Sequence, residues 1–128
     1  MEELSARLAD QRIRNRVIEC LEYLAEGDDG IRATGDVEYF ESFFDWVADN
    51  RPWDWRANSA YTPAEVNAVD RVHSALLAAV EETRAMDTAE TIASGWPQRI
   101  APIARSALDL LVQRGRFDED QEESAPSR

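Results

Sequence analysis

The feature that most constrains the fold is the run Thr-Pro-Ala-Glu at residues 62–65. This is the pattern of a capping box: the threonine hydroxyl and the glutamate carboxylate each accept a hydrogen bond from a backbone N–H group where a helix begins, and proline fits the first helical position. Side chains at helical spacing follow on one arc: Val66, Val69, Val72, His73, Leu76, Leu77 and Val80. The sequence therefore predicts a long amphipathic helix from Thr62 to about Ala85, with this arc in the core.

Two further helices are predicted before Thr62, one on each side of the run Glu-Gly-Asp-Asp-Gly at residues 26–30. We expect this run to form a turn, with Gly27 ending the first helix, because glycine adopts the left-handed conformation common at helix ends. The second helix is predicted to have Asp36 as its N-cap and to stop by Asn50. The predicted core residues are Ile13, Val17, Cys20, Leu21 and Leu24 in the first helix and Val37, Phe40, Phe43, Phe44 and Val47 in the second.

A second capping box, Asp-Thr-Ala-Glu at residues 87–90, predicts a short helix that Gly95 closes. We expect residues 96–97 to turn the chain into the last helix. Because a proline inside a helix removes a backbone hydrogen bond, this helix is predicted to begin close to Pro102 or to be kinked there, and to end at Gly115. Its predicted core residues are Ile100, Ile103, Ala107, Leu108, Leu111 and Val112.

The helical segments together predict an all-α fold. We expect residues 1–117 to form a single-domain irregular bundle of four main helices and a short fifth, with an aromatic-rich loop between helices two and three. No stretch alternates between apolar and polar residues for long enough to predict a β-strand. The last eleven residues, DEDQEESAPSR, offer too little apolar surface to offset the entropy of ordering, so residues 118–128 are predicted to be a disordered acidic tail.

The chain is strongly acidic, which argues against a nucleic-acid ligand. Asp and Glu number 26 against 14 basic residues, so the net charge is -12 and a phosphate backbone is repelled. The one basic cluster, Arg-Ile-Arg-Asn-Arg at residues 12–16, is predicted to pair with acids of its own helix or of the second. We expect a basic protein partner and no direct contact with nucleic acid. A GC-rich genome or a halophilic habitat would also account for part of the acidity.

Cys20 is the only cysteine, which excludes an internal disulfide and fits a reducing cytoplasm. No N-terminal run resembles a signal peptide, and no stretch approaches the ~18 apolar residues that a membrane-spanning helix requires. The sequence therefore predicts a soluble cytoplasmic protein that makes no membrane contact.

The sequence contains no clear set of catalytic residues or metal ligands. His73, the single histidine, lies on an apolar arc, where a packed imidazole is more common than a general base, and no serine or cysteine is placed beside it by spacing. One cysteine and one histidine are too few for a zinc site. Glu38, Glu41 and Asp45 share a helix face that could suit Mg²⁺, but this face lies opposite the phenylalanine stripe. We predict no enzyme, no cofactor and no metal site.

The candidate binding region is the run FFDWVADNRPWDWRANSAYTP at residues 43–63, with the acidic helix face before it. Aromatic side chains are enriched at binding hot spots, and carboxylates around them steer a basic partner. The candidate partner-binding residues are Trp46, Trp53, Trp55, Tyr61, Asp45, Asp49, Asp54, Glu38 and Glu41. In the alternative interpretation the loop plugs the bundle, with one tryptophan buried and the other against Arg51 or Arg56. An extended loop would instead point Trp53 and Trp55 the same way.

Three stretches, RNRVIECLEYL (residues 14–24), FFDWV (43–47) and YTPAEVNAV (61–69), resemble the sequences of a group of small, acidic, helical bacterial proteins of uncharacterised function. The shared pattern is an Arg-Asn-Arg run, an aliphatic residue and Ile-Glu, then a Trp-rich loop, then a glutamate that opens a long helix. The resemblance covers most of residues 14–117 and implies a fold class and a bacterial origin, but no activity. The chain departs from the group in its Gly-Asp-Asp-Gly run and its acidic tail.

These observations favour a non-catalytic protein-binding module, an acidic inhibitor or immunity-type protein that docks on a basic partner such as a toxin domain or a nuclease. The second hypothesis is a structural or self-associating protein in which the aromatic region is the seam of a homodimer. The remaining two are an enzyme that uses His73 with carboxylates and a mimic of duplex DNA.

Overall fold

The computed structural model describes residues 4–128, which contain six α-helices and one 3-10 turn. The helices are α1 (Ala6–Leu24), α2 (Asp28–Thr34), α3 (Asp36–Phe44), α4 (Pro63–Thr83), α5 (Thr88–Ala93) and α6 (Trp96–Arg114), and the turn is Trp55–Ala57. α6 packs along both α1 and α4, while α2 and α3 also contact α1. No strand is present in these residues, so the predicted all-α fold is confirmed.

Both predicted capping boxes begin helices. At the start of α4, the Glu65 N–H donates to Thr62 Oγ1 and the Thr62 N–H donates to Glu65 Oε1, each at 3.1 Å. At the start of α5, Asp87 and Glu90 exchange the same two bonds at 2.8 and 3.3 Å. These bonds join residues three apart, so the sequence alone is enough to place both helix starts.

The turn predicted at residues 26–30 is wrong in its second half, because α2 begins at Asp28. Gly27, with a φ of 61°, turns the chain after α1, and acidic residues then occupy the first turn of α2, where the helix dipole favours them. Gly30 is buried against the end of α1: a Cβ built there would lie 1.9 Å from the carbonyl oxygen of Tyr23. This glycine therefore allows two helices to approach closely and does not make a turn.

The last helix starts earlier than predicted. Gly95, with a φ of 84°, makes the turn, and Trp96 and Pro97 open α6 instead of turning the chain. Proline is tolerated in the first helical turn because its missing N–H would have no partner there. Trp96 is buried and donates from Nε1 to Glu82 Oε2 at 2.5 Å. Pro102 lies inside α6 as an exposed residue, so the predicted helix start at this position is wrong.

Three residues predicted to lie in the core are exposed instead. Val37, Leu77 and Val112 expose 71%, 51% and 52% of their surfaces. The N-cap of α3 is Gly35 and not the predicted Asp36. The residues of α3 that are buried are Tyr39, Phe40 and Phe43. Helical spacing identifies an apolar arc, but the helices packed beside it decide how much of the arc is covered.

A buried ion pair joins α1 to α4. The Arg14 side chain is fully buried, and its Nε and Nη2 atoms donate to the two carboxylate oxygens of Glu65 at 3.2 and 2.9 Å. Arg14 also donates to the carbonyl oxygens of Leu111 and Gly115 at the end of α6, at 3.0 and 2.6 Å. Arg114 Nε lies 3.2 Å from Glu65 Oε2. One carboxylate, which is also half of the α4 capping box, therefore connects α1, α4 and α6.

Residues 118–128, predicted to be a disordered tail, lie against α1 in the structure. Three side chains spaced one turn apart on α1, Arg7, Gln11 and Asn15, hydrogen-bond to the backbone of this segment or of the residue before it. Gln11 donates to two carbonyl groups at 2.9 Å each and accepts from the Glu123 N–H at 2.8 Å. These hydrogen bonds to the backbone are a contribution that apolar burial alone does not include.

The basic cluster at residues 12–16 pairs with carboxylates, but only the Arg16–Glu19 pair lies within its own helix as predicted, and two of the other partners belong to the C-terminal segment. Arg16 contacts both Glu19 and Glu119, and Arg12 lies 3.8 Å from Asp120. The buried ring of Phe117 lies under three guanidinium groups, those of Arg7, Arg14 and Arg114, at 5.0, 5.3 and 5.5 Å from its centre. Arginines of α1 therefore attach the end of the chain to this helix through Phe117, Glu119 and Asp120.

Candidate functional site

The carboxylates of the candidate site lie on the solvent side of α3 and on the segment that follows it. Glu38, Glu41 and Asp45 are exposed, and Asp45 is the C-cap of α3. Asp45 lies 3.7 Å from Arg51, whereas Glu38 and Glu41 form no ion pair within residues 4–128. Residues 36–54 contain six acids and one base, namely Asp36, Glu38, Glu41, Asp45, Asp49 and Asp54 against Arg51. We call α3 and residues 45–54 the acidic face.

Trp55 belongs to the core. Asp54 caps the 3-10 turn by accepting a hydrogen bond from the Arg56 N–H at 3.0 Å, and the Trp55 side chain in this turn is buried. Its Nε1 donates to Asp49 Oδ1 at 3.1 Å, and the Arg56 guanidinium stacks 4.5 Å from the ring centre. The buried tryptophan, closed by an arginine and an aspartate, has the arrangement expected for a plug in the bundle.

Trp53 is exposed over 44% of its surface, with the Arg51 guanidinium 5.8 Å from its ring centre. It differs in burial from Trp55 because the loop bends into a 3-10 turn and is not extended. Trp46 is half-buried, and all three tryptophans line one groove of about 270 Å³ between the loop and α1. Trp53 is therefore the tryptophan of this region that a partner can reach most fully.

Tyr61 is half-buried and packs against the core. Its hydroxyl oxygen is buried and has no hydrogen-bond partner within residues 4–128, and burial raises the pKa of its phenol well above the usual range. Of the nine candidate residues, Trp55 and Tyr61 have their polar ends inside the protein and Trp46 is half-buried. The exposed ones are Trp53, Asp45, Asp49, Asp54, Glu38 and Glu41.

Asp49 belongs to a network of charged groups. Arg56 bridges it to Asp70 of α4, with N–O distances of 2.5 and 2.9 Å. The hydrogen bond from Arg56 lowers the pKa of Asp49, and the same bond raises the pKa of Arg56. His73 Nδ1 lies 3.8 Å from Asp70 Oδ1. Burial lowers the pKa of His73 although two carboxylates oppose the shift, so its imidazole is mainly neutral at pH 7.

The groups with the greatest chemical reactivity are packed among apolar side chains. His73 lies between the rings of Phe44 and Trp55, with centroid distances of 6.0 and 5.9 Å. Cys20 is buried on α1, and burial raises the pKa of its thiol. Within residues 4–128, no three His, Cys, Asp or Glu side chains are grouped closely enough to hold a metal ion.

A groove that the sequence reasoning missed runs between α3 and α4. It consists of two adjoining depressions of about 430 and 200 Å³, which share Glu41 and Val80. Its apolar lining comprises Val37, Phe40, Phe44, Ala48, Leu77, Val80 and Met86. A neighbouring depression continues past Asp49 to Trp53. The sequence feature that could have indicated this α3–α4 groove is the width of the two predicted apolar arcs. They include Val37 and Leu77, which the neighbouring helices do not cover.

Comparisons with known proteins supply no relative for this chain: no family model, no curated protein and no solved structure matches it. The resemblance to a group of acidic helical bacterial proteins therefore stays a prediction. In the described part of the chain, none of the helices combines the length and the apolar content that crossing a membrane would take. A functional proposal has to rest on the geometry of the acidic face.

Proposed function

We propose that this chain is a cytoplasmic, non-catalytic module that docks on a basic protein, as an inhibitor or immunity-type protein does. The observation that carries the proposal is that the acidic face combines exposed apolar side chains with carboxylates that lack ionic partners. Val37 and Trp53 are 71% and 44% exposed, and Glu38 and Glu41 form no ion pair within residues 4–128. Apolar anchors among complementary charges are the usual composition of an interface hot spot.

The contacts of Trp53 are also suited to exchange with a partner. Arg51 lies over the Trp53 ring, and its ion pair with Asp45 is long, at 3.7 Å, and exposed. Such a pair contributes less than about 1 kcal/mol, so an arginine of the partner can replace Arg51 at little cost. The partner would then gain an aromatic surface and a carboxylate together. The lone buried cysteine, Cys20, fits the reducing compartment named in the proposal.

Affinity capture from the lysate of the native host at moderate salt, followed by mass identification, tests the proposal. We expect recovery of a basic protein that elutes as the salt concentration rises, and its loss in the Glu38→Arg/Glu41→Arg variant. The matched control is Glu26→Arg/Asp109→Arg, which reverses two exposed charges outside the acidic face and should retain the partner. Recovery of no basic protein, or equal recovery by both variants, would contradict the proposal.

Self-association through the same face is the second candidate function, and the exposure of Val37 and Trp53 is the observation that favours it. The carboxylates oppose it, because a symmetric dimer brings like charges together. Sedimentation over a wide range of protein concentration distinguishes the two: a monomer throughout leaves the basic partner as the occupant of the acidic face.

A further inference from the structure

The α3–α4 groove is an apolar strip that the chain's own helices leave uncovered. Val37 of α3 and Leu77 of α4 both line it, and they are 71% and 51% exposed although helical spacing assigns both to the core. Phe44 and Val80, which are half-buried and packed on the core, form the lining between them. Water in contact with such a strip is released when an apolar partner covers it, which favours binding.

The charges around the groove select the kind of occupant. Two arginines line it, and each is already paired, Arg51 with Asp45 at 3.7 Å and Arg84 with Glu81 at 2.6 Å. Asp36 and Glu41 also line it and have no basic partner within residues 4–128. A second copy of this chain would bring the same carboxylates face to face. Charge complementarity therefore points to a basic partner and away from a homodimer.

The dimensions of the groove suit a helix. Its α4 wall extends from His73 to Arg84, which is about 16 Å at 1.5 Å per residue. An amphipathic helix presents apolar side chains at i, i+4 and i+7 over about 10 Å, so three such anchors fit within this length. The two exposed apolar side chains stand on different helices, one on each wall, as they do in grooves that receive a helix.

We infer that the α3–α4 groove binds a basic amphipathic α-helix of the partner protein. Apolar side chains of that helix lie between Val37 and Leu77, and its flanking lysines or arginines pair with Asp36 and Glu41. The inference rests on the proposed function, because it names the segment of the basic partner that is recognised and the groove, between the acidic face and α4, that recognises it.

The test uses a synthetic, fluorescein-labelled peptide of about 15 residues, with leucine at i, i+4 and i+7 and with lysine and arginine at the flanking positions. Fluorescence anisotropy follows its binding to the full chain, and a peptide of the same composition in scrambled order is the control. We expect saturable binding of the amphipathic peptide and at least about tenfold weaker binding of the scrambled one. In isotope-labelled protein, the amide chemical-shift changes should cluster along α3 and α4.

Leu77→Asp is the diagnostic variant and Val112→Asp its matched control, because the two side chains are 51% and 52% exposed but Val112 lies on α6, outside the groove. Leu77→Asp should weaken peptide binding at least about tenfold, and Val112→Asp should change it by less than about twofold. If circular dichroism shows that Leu77→Asp does not fold, Val37→Asp takes its place. Equal affinities of variant and control, or shift changes confined to other surfaces, would overturn the inference.

The outcomes also separate this inference from the proposed function. If both peptides bind equally and Glu38→Arg/Glu41→Arg loses both, the helix-binding groove is refuted while the acidic docking face stands. If neither peptide binds and affinity capture recovers no basic protein, both proposals fail. Self-association that Leu77→Asp abolishes would place a second copy in the groove and would overturn the inference as well.

Discussion

At the scale of one residue, the Glu65 carboxylate takes part both in a local capping box and in a tertiary ion pair. It completes the capping box with Thr62, and it also accepts two hydrogen bonds from the buried guanidinium of Arg14. The first role follows from a spacing of three residues. Helical spacing places Arg14 beside the apolar arc, three and seven residues before Val17 and Leu21. The second role could not be predicted, because spacing within one helix does not identify Glu65, 51 residues away, as the partner of Arg14.

We expect Glu65→Gln to lower the free energy of unfolding by about 3 kcal/mol, because the substitution leaves the buried charge of Arg14 without its carboxylate. Glutamine keeps the capping-box hydrogen bond, so the loss reports the ion pair and not the start of α4. The matched control, Glu81→Gln, removes the exposed partner of Arg84 and should cost less than about 1 kcal/mol. Urea unfolding at pH 7 measures both variants, and equal small losses would refute the structural role assigned to Glu65.

His73 should make the protein less stable as the pH falls below about 6.5, the ordinary pKa of histidine. Burial lowers its pKa in the folded protein, so the unfolded chain takes up the proton first. Its contribution to stability is therefore complete above the unfolded pKa and is lost as the pH falls toward the folded one.

Urea unfolding between pH 7 and about 5.5 measures this contribution, because His73 is the single histidine of the chain. We expect the free energy of unfolding to decline with falling pH in the wild type and to stay flatter in His73→Gln. Parallel declines in the two proteins would assign the effect to other groups.

At the scale of the element, α2 was missed because a glycine has two different uses. Within the run at residues 26–30, Gly27 has a positive φ and turns the chain, whereas Gly30 lies inside a helix and is needed for close packing against Tyr23. Both appear in sequence as turn formers. The contact that distinguishes them lies between two helices, so composition cannot reveal it.

Gly30→Ala should destabilise the protein by about 3 kcal/mol, because the added Cβ meets the Tyr23 carbonyl oxygen at 1.9 Å and one of the two helices must move. The comparison variant is Ala33→Gly at an exposed position of the same helix, which should cost about 1 kcal/mol through helix propensity alone. Thermal unfolding followed by circular dichroism measures both. A neutral or stabilising Gly30→Ala would show that α1 and α2 do not approach so closely.

At the scale of the whole molecule, the two ends of the described chain are held together by polar contacts. Side chains of α1 bond to the backbone of the C-terminal segment, and Phe117 is buried where that segment leaves α6. An acidic, apolar-poor segment read in isolation has no reason to order, because its partners lie more than a hundred residues away in sequence. The C-terminal segment is therefore ordered by its hydrogen bonds to side chains of the folded α1 helix.

Gln11→Ala should release residues 118–123, since it removes three hydrogen bonds to this segment. We expect ¹⁵N heteronuclear NOE values of these residues to match those of the helices in the wild type and to fall in the variant, with a loss of about 1 kcal/mol in stability. Gln113→Ala, at an exposed position of α6, is the control and should change neither quantity. Low NOE values in the wild type would show instead that the segment is disordered.

By itself, the sequence determined the all-α class and the starts of α4 and α5, because these depend on periodicity and on hydrogen bonds between residues three apart. It also pointed to the acidic face as the region to examine. Only the tertiary structure decided that Trp55 is core and Trp53 is surface, and that Val37 and Leu77 flank an open groove. Burial depends on how helices that are distant in sequence pack beside one another, and the spacing of apolar residues within one helix does not specify which of them a neighbouring helix covers.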